Sequence, residues 1–244
     1  LHPSAAGSVT LETAEPELRR LLSQPRVVAL GEIGLDRYRD HGTPEEQREL
    51  FVGQIELARE LGLPVIVHNR DATADILDVF RAHPPAAESV MHCFSADAQA
   101  ARAFLDLGFS ISFGGNVTYK RSDDIREAAR MTPSDRLLVE TDAPFLAPQA
   151  VRGRPNHPGY VGYTYEFLAE LRGEAVEDLA GAARALVGHD ARGSARRLDD
   201  RAHPQPTVVQ AKRRVGTVEE DVAFEHVRDM IGPERPEPLD DSVE

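Results

Sequence analysis

The chain is short of three things, and each shortage narrows what it does. It carries one cysteine, Cys93, in 244 residues, so no disulfide forms within it and a reducing, cytoplasmic setting is the simplest expectation. No apolar run approaches the ~20 residues that span a bilayer. The first residues also lack the basic and apolar regions of a secretory signal. No membrane partner is therefore expected, and nothing points to an obligate protein partner. Positive charge is scarce as well: 28 Lys and Arg against 41 Asp and Glu leave a net charge of −13. Such a chain does not coat nucleic acid through bulk basicity. A local basic patch, or phosphate binding through metal ions, stays open. There is no Ser-His-Asp arrangement, P-loop or dinucleotide fingerprint.

What is present is an alternation. Short apolar runs fall at VVAL (27–30), PVIVH (64–68), SVMHCF (89–94), FSISF (109–113) and RLLVET (136–141). They read as buried parallel strands. Helical stretches separate them. Thr43-Pro44-Glu45-Glu46 is a capping box with proline in the first turn, and Phe51, Ile55, Ala58 and Leu61 follow at helical spacing until Gly62 and Pro64 end the run. Asp71 to Phe80, Asp97 to Leu107, Ser122 to Met131, Val161 to Leu171 and Val176 to Leu186 complete the helices. Repeated strand–helix–strand units predict right-handed crossovers and a parallel α/β sheet, open or closed into a barrel. Residues 1–188 form the folded unit in this reading. Residues 189–244 are a polar tail, largely disordered, with one short helix expected over Thr217 to Ile231.

Polar residues fall at one place in each unit. Glu32 follows the first apolar run, His68 ends the second, His92 ends the third and Asp142 follows the fifth. In parallel α/β folds ligands bind at the carboxyl ends of strands, so four strands deliver Glu, His, His and Asp to one rim. Divalent metals want such a set, and the ligand types fit Mg, Mn and Zn alike. A carboxylate shared between two ions ~3.5–4 Å apart would explain a glutamate beside a buried run. A bland reading stays beside this one. Strand-end histidines are often only hydrogen-bonded, Glu32 has Arg37 and Arg70 as possible partners, and Asp142 precedes a turn-forming Ala-Pro.

Other residues carry weaker signals. Asp36 is placed to orient a ligand. Arg70, Arg152 and Arg154 are candidates for gripping phosphate, Asn116 lies in the glycine-rich GGNVTYK, and Asn156 lies in RPNHP. Glu140 is read as turned away from Asp142 by strand alternation, and Cys93 as a packing residue.

Five ordered motifs, GEIGLD (31–36), PVIVHNRDA (64–72), HCFS (92–95), LLVETDAPFL (137–146) and RGRPNHP (152–158), resemble the TatD family of metal-dependent deoxyribonucleases. The likeness runs from about His2 to Ala183. It implies a TIM-type (β/α)8 barrel of the amidohydrolase-like class with two or more divalent metals (Mg, Mn or Zn) at its C-terminal rim. It implies hydrolysis of phosphodiester bonds in DNA, often from 3′ to 5′, in repair or DNA breakdown. Matched motif to motif, Glu32 is the bridging ligand and His68 and His92 bind one metal. Asp142 is a ligand that also contacts the attacking water. Arg70, Asn116, Arg152, Arg154 and Asn156 are carried as substrate-binding candidates.

The chain departs from the family pattern in one respect. The family opens on a strand ending His-x-His, and no pair among the nine histidines has that spacing. Leu1-His2-Pro3 resembles the end of the family's third strand. Roughly 60 residues at ~30 per unit are thus expected to be missing, leaving a barrel of five or six strands. A fragment or mis-started frame is expected, poorly stable and weakly active or inactive. His157 also stands where the family often has an acidic residue. The alternatives are another amidohydrolase-like hydrolase acting on an amide, an ester or an aminoacyl-tRNA, or a degenerate barrel that only binds.

Overall fold

A computed structural model describes residues 1–188; the tail and its expected helix lie outside the described residues. Five strands alternate with helices: α1 (Leu11–Leu22), β1 (Leu30–Asp36), α2 (Pro44–Leu61), β2 (Val65–Arg70), α3 (Thr73–Ala82), β3 (Val90–Met91), α4 (Ala98–Asp106), β4 (Ser110–Phe113), α5 (Asp123–Met131), β5 (Leu137–Val139), α6 (Val161–Arg172) and α7 (Val176–Gly188). All strand pairs are parallel, and the spatial order β1-β2-β3-β4-β5 is the chain order. Each crossover therefore steps one strand over in the same direction, with no reversal point. That is the progression of a TIM-type barrel, not of a doubly wound sheet. Among the described residues no helix is long and apolar enough to cross a membrane.

The core explains the order. Ile33 and Leu35 of β1, Val65 and Val67 of β2, Met91 of β3, Ile111 and Phe113 of β4, and Leu137 and Val139 of β5 join Phe51, Ile55, Ile76, Phe80 and Phe104 of the helices in one buried cluster. Six phenylalanines run through it in sequence: Phe51 meets Phe80 at 5.4 Å, Phe80 meets Phe109 at 4.7 Å, and Phe104, Phe94 and Phe113 continue the row at 5.9, 6.5 and 6.0 Å. Truncating one such ring typically costs about 3–5 kcal/mol.

Local signals set the element ends. Thr43 and Glu46 exchange side-chain and backbone bonds at the head of α2, and Gly62 ends it in the left-handed conformation at φ 66°. Asp97 accepts from the Ala100 N–H to start α4. The apolar runs locate the strands to within a few residues, with one shift. VVAL contributes only Leu30, and the strand proper is the glycine-containing GEIGLD. The helix α1 has no counterpart in the expectations. Its single buried residue is Leu18, and Pro16 lies inside it, so neither an apolar stripe nor an unbroken run marks it. Thr10 caps it, and Arg19 ties it to Glu60 of α2 at 2.5 Å.

Gly34 fixes the approach of β1 to β2. It sits at φ 141° opposite His68, and a Cβ there would come within 2.0 Å of the His68 carbonyl oxygen. Gly34→Ala is expected to destabilise the protein by about 3 kcal/mol or more, from strain and overpacking together. Gly62→Ala, also at positive φ but facing open space, is expected to cost only about 1 kcal/mol. Urea titrations of the two variants check this; equal midpoints would mean the strands do not approach so closely.

Candidate metal centre

Glu32 lies inside β1, not beyond its end. Alternation turns Ile33 and Leu35 to the helices and puts Glu32, Gly34 and Asp36 on the opposite face of the sheet. The Glu32 side chain is 2% exposed. A carboxylate so placed is costly unless it is neutralised, and three imidazoles surround it. Oε2 lies 3.9 Å from His2 Nε2 and 3.6 Å from His68 Nδ1, while Oε1 lies 3.4 Å from His92 Nε2. His92 Nε2 is in turn 3.6 Å from Asp142 Oδ1. Arg37 and Arg70 are engaged elsewhere: Arg37 donates to Asp75 at 3.0 Å, and the Arg70 guanidinium lies 4.0 Å over the Tyr38 ring.

The backbone explains why these groups converge. The His92 N–H bonds to the Val67 carbonyl and the Glu140 N–H to the Phe113 carbonyl, so sheet pairing continues past β3 and β5 up to the rim. Cys93 at φ 44° and Asp142 at φ 55° then turn the chain sharply. Left-handed φ costs a non-glycine residue about 1–2 kcal/mol, and such residues concentrate at sites where direction matters more than comfort.

Two sets of donor atoms result, His2–Glu32–His68 and His92–Cys93–Asp142, each with its atoms within 4.8 Å of one another. Ligands at ~2.0–2.3 Å from one tetrahedral ion lie about 3.3–3.8 Å apart, so each set can hold one cation once its side chains draw inward. Glu32 offers one oxygen to each side. The imidazoles are held from behind. Glu140 Oε2 is 2.6 Å from His92 Nδ1, and its other oxygen accepts from the Cys93 N–H at 2.6 Å. Asp36 Oδ2 is 3.6 Å from His68 Nε2, and its Oδ1 accepts from the Tyr38 and Arg39 N–H groups. Burial works against a charged His92, but Glu140, Asp142 and Glu32 outweigh it and hold its pKa well above the ordinary value.

Glu32, His68, His92 and Asp142 therefore meet at one rim. The other candidates are placed differently. Asn156 is buried; its amide donates to the carbonyls of Thr141 and Phe145 at 2.7 and 2.6 Å, which pins the loop that carries Asp142. Asn116 is buried too and donates to the Phe94 carbonyl at 3.2 Å. Arg152 lies 4.1 Å over the Tyr119 ring, and Arg154 is exposed. Three residues at the site escaped the reading of the sequence as ligands or their supports. Glu140 is two residues before Asp142, and a period of two puts both on one side; the alternation had been applied the wrong way. Cys93 is half-buried with its sulfur in a donor set, where a core role was expected. His2 served only as a marker of the family's third strand.

The strand order and the rim cluster define a TIM-type α/β protein with a carboxylate–imidazole site at the carboxyl ends of its strands. Residues 1–187 match the sequence model described as TatD related DNase, and the chain belongs to that family. It is 50% identical over 165 residues to the metal-dependent hydrolase YcfH of Escherichia coli, an alignment covering 67% of this chain and 62% of that protein. It is 39% identical over 198 residues to the 3′-5′ ssDNA/RNA exonuclease TatD of Erwinia amylovora, covering 77% and 76%. Among solved structures, the TatD homologue YjjV of Escherichia coli superposes with a TM-score of 0.70 at 34% identity, covering 77% of this chain and 73% of that one. A TatD family hydrolase of Entamoeba histolytica, 19% identical over 76% and 71% of the two chains, shares the fold at a TM-score of 0.68. The chain thus spans less than two thirds of the length of YcfH.

The raised His92 pKa has a sign that can be checked in chelator. The unfolded ring titrates near ~6.5. The stability contributed by the imidazolium is therefore fully present below that value and is lost as pH rises through the higher folded pKa. Urea midpoints of the wild type and His92→Gln should converge as pH rises, and Glu140→Gln should shrink the gap at low pH. Parallel curves would mean that the ring is not charged in the metal-free fold.

Proposed function

We propose that the chain carries the metal centre of a hydrolase that cleaves phosphodiester bonds in DNA, most simply as a 3′-to-5′ exonuclease on single strands, in DNA repair or breakdown. One observation carries the reading: a buried Glu32 carboxylate turns one oxygen to His2 and His68 and the other to His92, which leads to Asp142. A carboxylate with two separately furnished sides is what a two-ion centre needs. The donor sets are mixed nitrogen, oxygen and sulfur, compatible with Zn and Mn, and Mg where oxygen dominates. The names of the relatives, metal-dependent hydrolase and ssDNA/RNA exonuclease, agree with this.

When bound, divalent ions would supply positive charge to the phosphate and bring the pKa of a water toward ~7. The chain's residues do the rest. Glu32, His2, His68, His92 and Asp142 would hold the ions. Glu140 bonds to His92 Nδ1 and so aims Nε2 at the centre; Asp36 faces the far nitrogen of His68 in the same way. Asp142 is positioned to take the proton from the attacking water. Asn156 keeps Asp142 in register by gripping the loop on both sides of it. No side chain need act as a covalent nucleophile. A reducing, cytoplasmic setting would keep Cys93 a thiol beside the site.

Purified full-length chain should hold divalent metal by elemental analysis and hydrolyse single-stranded DNA in a chelator-sensitive way. Asp142→Ala should lower turnover by about 10²–10⁴-fold. Glu140→Ala should weaken metal binding by about 10–100-fold. Metal-free protein after mild purification, or hydrolysis that survives chelation, would overturn the reading. Turnover of amides or esters but not DNA would keep the centre and change the substrate.

A further inference from the structure

Beside the metal centre lies an open cleft of about 460 Å³, lined by Tyr119, Lys120, Arg121, Ser122, Gln149 and Arg152. It is made by the loops that follow β4 and β5, and those loops are locked together. The Gln149 N–H donates to Thr118 Oγ1 at 2.7 Å. Gly115 packs so closely on the second loop that a Cβ there would lie 2.1 Å from the Leu146 carbonyl oxygen. The cleft is thus built on fixed backbone, although its cationic side chains are exposed.

Its charge is unusual for this molecule. The net charge is −13, and arginines on the helices are commonly paired with carboxylates, as in Arg20–Glu17, Arg59–Glu56, Arg81–Asp78 and Arg130–Glu127. Among the described residues, Lys120, Arg121 and Arg152 have no carboxylate within ion-pair distance. Arg152 instead lies with its guanidinium 4.1 Å over the Tyr119 ring and donates to Gln149 Oε1 at 3.4 Å. Stacking of this kind orients the guanidinium and leaves N–H groups for an anion. Three cations around one concavity make a local positive potential on an otherwise acidic protein, and such a potential attracts anions.

The loops that form the cleft also start beside the metal centre. The first loop begins at Gly114, where a Cβ would come within 2.8 Å of Cys93 Sγ. The second loop leads from Asp142 to Arg152 in ten residues of chain.

We infer that this cleft is a backbone-phosphate subsite, in which Lys120, Arg121 and the Tyr119-stacked Arg152 hold a phosphodiester of a single strand next to the one at the metal centre. This rests on the nucleic-acid reading above and adds to it the place where the strand is gripped. The subsite carries no base readout, so affinity there is tolerant of sequence and sensitive to salt.

The test is the binding of a short fluorescent single strand with a phosphorothioate backbone, which resists cleavage, measured by anisotropy across a salt series with divalent metal and again with chelator. The full-length chain is compared with Lys120→Ala, Arg121→Ala, Arg152→Ala and the triple variant. Arg81→Ala removes one positive charge on α3 and serves as control. Each cleft substitution should weaken binding, on the order of tenfold where a charged contact is lost. The triple variant should flatten the slope of log K against log salt by about 2, at ~0.7 per contact. Arg152→Lys, which keeps the charge but not the stacked fork, should fall between Arg152→Ala and wild type. Wild-type binding that the triple variant weakens no more than Arg81→Ala would overturn the subsite and leave the nuclease reading standing. Absence of binding by the wild type in both conditions would overturn both. Inorganic phosphate that competes as tightly as the oligonucleotide itself would show a free-anion site and overturn the assignment to a strand.

Discussion

A carboxylate buried to 2% exposure inside a parallel strand sets the terms for everything around it. Glu32 shares its strand with Ile33 and Leu35, which are completely buried in the core. It cannot move to water without dismantling that core. The opposite face of the sheet must therefore bring neutralising groups to it, and the fold does so from three directions: His2 from the turn before α1, His68 from β2 and His92 from the end of β3, with Asp142 beyond β5 as a second carboxylate on His92. Unlike a buried pair that merely breaks even, this arrangement leaves acidic groups facing one another across imidazoles. Such a balance tips with each proton or cation that enters.

The loops at the rim hold this arrangement by local strain and close contact. Asp71, Cys93, Asp142 and Leu146 all lie at positive φ, and each follows a strand or belongs to the loop beyond β5. Strain of about 1–3 kcal/mol at each is offset by bonds that leave the chain no other course. Asn156 grips Thr141 and Phe145, Glu140 grips Cys93 and His92, and Thr118 grips Gln149. Asn116 and Asn156, expected at the substrate, also donate their amide N–H groups to carbonyls of this scaffold.

The parts legible in the sequence were those governed by period and burial. Continuous Val, Ile, Leu and Phe runs mark parallel strands because both faces are covered, and four of the five runs fall on strands with nearly the expected bounds. The first does not. Glycines at 31 and 34 dilute its apolar signal, yet Gly34 is there because β2 comes too close for a side chain. The helix α1 was invisible because one buried leucine makes no stripe. At the site, residues that end a strand could be found by position alone. Those that support them could not, since whether Asn156 faces a ligand or a carbonyl depends on a loop path that no periodicity encodes.

Charge, finally, is divided between an acidic centre and a cationic cleft. On the proposed reading, a centre flanked by Glu32, Asp36, Glu140 and Asp142 repels a polyanion until cations occupy it. Cationic side chains placed at the centre itself would relieve that repulsion but compete with the metals for the same carboxylates. Lys120, Arg121 and Arg152 stand on neighbouring loops without pairing to the described acids, where on the inferred reading they attract a backbone. On the proposed reading, separating the two functions lets the centre stay anionic enough to hold its ions while the strand is gripped beside it.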